Sequence, residues 1–134
     1  MRPRLTFPAF LLAAILAATL PAATAAPGLS PQSSSMGGVT IEITPRIAAG
    51  QVWQFEIAFN THSQELKDDL EKSALLIADG RESRPIAWKG DPPGGHHRKG
   101  VLRFAAPAPP PSTVELRIQR PGEPSPRSFQ WQLK

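Results

Sequence analysis

The sequence predicts an all-β fold, an immunoglobulin-like β-sandwich of about seven strands with one short helix between the second and third strands. Three observations lead there. Apolar residues alternate with polar ones over short segments, the period-two signature of half-buried strands. Turn-forming residues separate those segments. Once an export signal is set aside, about 110 residues remain, enough for one compact domain and too few for two.

Val39, Ile41 and Ile43 alternate with Thr40, Glu42 and Thr44 in the first strand, and Trp53, Phe55, Ile57 and Phe59 alternate with Gln54, Glu56 and Ala58 in the second. Leu75, Leu76 and Ile77 mark a third strand closed by Asp79-Gly80, and Arg84 to Trp88, "RPIAW", a fourth. The fifth holds Leu102 and Phe104, the sixth Val114, Leu116 and Ile118, and the seventh Phe129, Trp131 and Leu133. Between the second and third strands, "THSQELKDDLEKS" breaks the rhythm, with Leu66 and Leu70 four apart as on a helix face. Thr61 followed by Gln64 fits a capping box, so a helix of one or two turns is expected to start there. "APAPPP", Ala106 to Pro111, reads as a stiff extended connector between the fifth and sixth strands, the alternative being a motif for a polyproline-binding partner.

The chain opens with "MRPRLTFPAFLLAAILAATLPAATAA", which has the parts of an export signal: Arg2 and Arg4, an apolar run from Phe10 to Leu20, and the small-residue site Ala23-Thr24-Ala25. Residues 1–25 are therefore assigned to a signal peptide, residues 26–38 to a flexible lead-in rich in Pro, Ser and Gly, and residues 39–134 to the sandwich domain. The apolar run is shorter than the roughly 20 residues of a spanning helix, so no stable membrane span is expected after cleavage. An exported destination, periplasmic or extracellular, follows from the same residues.

The formal net charge is +4, and without Arg2 and Arg4 it is +2. Basic residues are scattered among acids rather than gathered in a stripe, which argues against a nucleic-acid partner. The absence of cysteine removes disulfides, thiolate metal sites and a lipoprotein anchor together.

If consecutive strands alternate in direction, the second-to-third, fourth-to-fifth and sixth-to-seventh connections fall at one end of the domain. All three histidines, His62, His96 and His97, then share one rim with Asp68, Asp69 and Asp91. Imidazoles with a carboxylate are ligands for zinc or copper(II), and His62, His96, His97 and Asp69 are the candidate metal set. Copper(I) is disfavoured, because the mature chain offers one methionine, Met36, in the lead-in. Adjacent residues of an extended strand face opposite ways, so one of His96 and His97 would join His62. By parity His96 shares the face of Leu102 and Phe104.

The plainer reading makes the same rim structural. Gly94-Gly95 supplies a turn, His96 hydrogen-bonds backbone, and Arg98 pairs with Asp69 or Asp91. Thr61, Ser63, Asp91 and Arg98 belong to the rim in either case. Catalysis has little support. His62 and Ser63 are neighbours in sequence, a poor geometry for a nucleophile and its base, and Asp68 and Asp69 would point apart on a helix.

The residues "THS..L..DL" from Thr61 to Leu70, "AW.G.PPGGHHR.G.L.F" from Ala87 to Phe104, and "R.F.W.L" from Arg127 to Leu133 resemble an uncharacterised family of small secreted prokaryotic proteins. The likeness runs from about Gly38 to Leu133. It implies that His62, Asp69, His96, His97 and Arg98 occupy the family's distinctive polar positions, and it carries no activity with it. The helix segment "QELKDD" is more charged than the family's form.

The sequence thus predicts an exported, non-catalytic binding or accessory module with a histidine-bearing rim that takes a divalent metal. The alternatives are a protein-interaction or structural domain whose rim is a hydrogen-bonded network, which leaves room for a protein partner, and more remotely a hydrolase.

Overall fold

The computed structural model describes residues 29–48 and 50–134, together with Pro3. Pro3 apart, the expected signal peptide lies outside the described residues, as do residues 26–28 of the lead-in. Among the described residues, no helix is long and apolar enough to cross a membrane.

Nine strands and one short helix follow in chain order: β1 (Gln32–Met36), β2 (Val39–Arg46), β3 (Trp53–Thr61), α1 (Leu70–Ser73), β4 (Ala74–Ala78), β5 (Arg81–Ser83), β6 (Ala87–Gly90), β7 (His97–Phe104), β8 (Thr113–Ile118) and β9 (Arg127–Gln132). They form two antiparallel sheets, ordered β1-β2-β3-β7-β6 and β5-β4-β8-β9. With β1 and β5 set aside, the seven strands read from the sequence fall in the order first-second-fifth-fourth against third-sixth-seventh. That is the four-plus-three arrangement of an immunoglobulin-like sandwich.

The alternation that predicts the strands is what builds the core. Val39, Ile41 and Ile43 of β2 and Phe55, Ile57 and Phe59 of β3 face Leu76 of β4, Leu116 of β8 and Phe129 of β9 across the sandwich, all buried. Phe55 meets Phe104 edge-on at 5.7 Å within its sheet and Trp131 at 5.7 Å from the other, tying the layers together without a disulfide.

Four expectations are corrected. The lead-in does not extend to Gly38, because β1 lies inside it, paired with β2 from Gln32↔Ile43 to Met36↔Val39. Gly37 and Gly38 at φ 57° and 77° make the two-residue hairpin turn. "QSSSM" shows no apolar period because its pairing rests on backbone bonds, not on a buried face. The helix does not begin at Thr61. Thr61 ends β3, its hydroxyl donating to Gly38 O at 2.8 Å, while Gln64 reaches Gly37 O at 2.6 Å. The supposed capping pair thus fastens the loop to the β1–β2 turn, and the helix is the single turn after Asp69.

The fourth strand, expected from Arg84 to Trp88, begins only at Ala87 as β6, because residues 84–86 cross between sheets from β5, a short strand not expected from the sequence. The fifth begins at His97 rather than near Val101. The proline-rich piece has the expected place as the connector between β7 and β8, where Arg81 donates to Pro109 O at 3.0 Å.

Candidate functional site at the loop rim

Three connections meet at one end of the sandwich: residues 62–69 after β3, residues 91–96 between β6 and β7, and residues 119–126 between β8 and β9. The first two are joined by backbone bonds. Thr61 N donates to His96 O at 3.0 Å, Leu66 N to Gly95 O at 3.0 Å, and Gly94 N to Leu66 O at 2.8 Å. The convergence expected from strand parity is therefore present, but its centre is not histidine.

Along the first loop, burial alternates. Leu66, Asp68 and Leu70 point inward, while Lys67 and Asp69 are exposed. Asp68 is thereby carried into the interior, where Arg120 binds it bidentately, Nε to Oδ2 at 3.0 Å and Nη2 to Oδ1 at 3.1 Å. Their side chains are 1% and 5% exposed. A charge this far from water needs a partner and hydrogen bonds, and the paired geometry supplies both.

The pair continues in both directions. Arg120 lies 3.5 Å from Glu123, which also accepts Arg127 Nη2 at 2.6 Å and Nε at 3.0 Å. Arg127 in turn donates to the carbonyls of Ser34, Met36 and Val39 at 2.8–2.9 Å, gripping the β1–β2 hairpin. Hydrogen bonds from Arg127, aided by the charge of Arg120, hold the Glu123 carboxyl below its ordinary range against the opposing effect of burial.

On the other side, Arg98 donates from Nη1 to Asp68 O at 2.5 Å and from Nε to Asp91 O at 3.1 Å. Its guanidinium carbon lies 5.4 Å from the centre of the Trp88 ring, whose indole N–H also donates to Asp91 O at 3.0 Å. Burial pulls Arg98 below its ordinary pKa, opposed by Asp68, Asp91 and Asp69. Gly100 leaves room for the ring, since a Cβ there would lie 2.5 Å from Trp88 Cζ2.

The candidate metal residues occupy the outside of this structure. His62, His96 and His97 are exposed, as is Asp69. His96 contributes its carbonyl to Thr61, and His97 Nδ1 lies 2.7 Å from Asn60 Oδ1. Asp69 sits at the helix start without a side-chain cap bond and 3.9 Å from Lys72. Among the described residues, no three His, Cys, Asp or Glu side chains converge as a metal group.

Arg98 pairs with neither expected carboxylate. It uses the backbone oxygens of Asp68 and Asp91, because it enters from the interior and meets the loop's main chain first. The Asp91 carboxylate instead accepts Lys99 N at 2.9 Å. Ser63 lies near Thr61, its backbone N–H donating to the Thr61 hydroxyl at 3.2 Å. The inward slot at the end of β7 assigned by parity to His96 is filled by Arg98 at the same parity.

Sequence reasoning missed Arg120, Glu123, Arg127 and the burial of Asp68. The signal existed, because each arginine prolongs the inward register of a strand: Arg98 with Leu102 and Phe104, Arg120 with Leu116 and Ile118, Arg127 with Phe129 and Trp131. A charge in an apolar register reads as a strand end on sequence alone, and here it is a buried hub.

Fold and rim together define an immunoglobulin-like β-sandwich whose loop end is set by buried ion pairs. No protein-family model and no curated protein matches the chain. Among solved structures it is similar to a secreted protein from Mycobacterium tuberculosis, MPT63, at 18% identity and a TM-score of 0.45, over 77% of this chain and 92% of that one.

Proposed function

We propose that this is an exported, non-catalytic binding module that presents the loops around His62 and His96 to a protein partner on a preorganised rim. The observation that carries it is the Arg120–Asp68 pair, buried at 5% and 1% exposure, which spends the interior polar chemistry on fixing loop backbone. Loops held in one conformation before binding lose less entropy when they meet a partner. The outward side chains they carry, His62, Gln64, Lys67 and His96, are exposed. Export rests on the signal-like segment at residues 1–25.

The test places a photo-crosslinking amino acid at His96, and in a control at Glu56 on the outer sheet face, in the secreted protein of its producing cell. A discrete adduct at position 96, absent at 56 and lost when Asp68→Asn loosens the loops, supports the reading. Equal labelling at both positions, or none at 96, contradicts it.

Zinc or copper(II) binding is a second reading, favoured by the direct Thr61–His96 backbone bond that puts His62 and His96 on touching segments. His97 is engaged by Asn60, so His62 and His96, with Asp69 across the loop, are the residues to test. A ligand that binds only the folded state raises its melting temperature. Titration with either metal should raise it in the wild type and not in His62→Ala. No shift at metal excess would remove this reading.

A further inference from the structure

The outer face of the β5-β4-β8-β9 sheet carries its charges in rows. In one row Ile77 is flanked by Glu82 on β5 and Glu115 on β8, by the registers Ile77↔Glu82 and Ile77↔Glu115. In the next row Leu75 pairs with Arg117, and Arg84, just past β5, lines the same cleft as Leu75 and Arg117. Leu75 and Ile77 are half-buried on the side away from the core, and shallow clefts of about 430 and 250 Å³ lie toward the two ends of the face. Like charges within a row repel; within one molecule Glu115 meets Arg117 along the strand at 2.8 Å and Ser128 across it at 2.6 Å, and Arg84 donates to the carbonyls of Lys72 and Ala74.

We propose that this face binds the same face of a second copy of the chain, about a two-fold axis that lies in the interface, perpendicular to the strands, between the two rows. That axis exchanges the rows. Glu82 meets the partner's Arg84, Glu115 meets the partner's Arg117, and Ile77 packs on the partner's Leu75. An axis parallel to the strands would set glutamate on glutamate. The self-complementary order of charge therefore selects one isologous arrangement. A single four-stranded face with two half-buried apolar side chains at its centre is small beside the roughly 800 Å² per partner of a standard interface, so weak, concentration-dependent association is expected.

Sedimentation equilibrium of the mature protein tests it, from about 5 to about 300 μM, at low ionic strength and at about 0.5 M salt, where screening shortens the reach of charge to a few ångströms. The wild type should dimerise at low salt and weaken at high salt. The double variants Arg84→Glu with Arg117→Glu, and Glu82→Arg with Glu115→Arg, should each be monomeric, yet form a one-to-one dimer when mixed, since one face is then wholly acidic and the other wholly basic. A wild type that stays monomeric throughout, or a dimer indifferent to both salt and charge reversal, would overturn the proposal. The salt series needs no variant, so the result stands even if a reversal impairs folding.

Discussion

Arg120 meets Asp68 across 52 residues of sequence with hydrogen bonds of 3.0 and 3.1 Å, inside a domain whose other buried residues are mostly apolar. Such a pair adds little net stability, because desolvating two charges costs several kcal/mol that their attraction only roughly offsets. Its effect is directional. Asp68 can be buried only with the loop after β3 drawn against the β8–β9 corner, and Glu123 and Arg127 extend the constraint to the β1–β2 hairpin. Arg98 and Trp88 do the same for the loop before β7.

Acid should loosen this network through Glu123. Its folded pKa lies below the ordinary glutamate value of about 4.3, so its stabilising contribution is complete above that value and is lost as pH falls through the folded one. Asp79, held down by the backbone N–H groups of Ser112 and Thr113, and Glu115, held down by Arg117, titrate in the same direction. Urea midpoints measured from neutral pH downward should fall below about pH 4.3, and Glu123→Gln should make that fall shallower without removing it. An unchanged slope in the variant would place the acid sensitivity elsewhere.

Arg127→Met should free β1 first. The substitution leaves three carbonyls and one carboxylate without their donor, a loss of about 3 kcal/mol or more by the cost of breaking a buried pair. Hydrogen exchange should accelerate in Gln32–Met36 before it does in the β3–β7 ladder. Uniform acceleration across both would show that β1 is not a separately clamped element.

Gly100→Ala should cost about 1–3 kcal/mol, the range for overpacking a filled interior. The added methyl would be 2.5 Å from the Trp88 ring and 2.8 Å from Lys89 O, so the indole must tilt and its contact with Arg98 must open. Urea unfolding followed by tryptophan fluorescence reads both effects. A variant as stable as the wild type, with the same folded spectrum, would mean the ring has slack.

The alternating segments were legible because an antiparallel sandwich buries one face of each strand, and Ile41, Phe55, Leu116 and Phe129 declare that face directly. β1 was hidden because "QSSSM" pairs through its backbone and through Arg127, which is far away in sequence. Thr61 and Gln64 satisfy a capping pattern in sequence, yet both bond to the Gly37-Gly38 turn, and the helix starts only after Asp69. The meeting of the three loops followed from strand direction alone. Which residues face inward there did not, since Asp68 and Asp69 differ only in parity along an irregular segment. The histidines drew attention by chemistry, while the buried positions went to arginine.

The central claim is that the Asp68–Arg120 pair is a buried, coupled unit that holds the rim. A double-mutant cycle with Asp68→Ala, Arg120→Ala and both together, measured by urea unfolding at neutral pH, tests it most directly. Each single change should cost about 3–5 kcal/mol, and the double change far less than their sum, because removing both charges leaves neither stranded. A coupling energy below about 1 kcal/mol, the range of solvent-exposed pairs, would contradict the account.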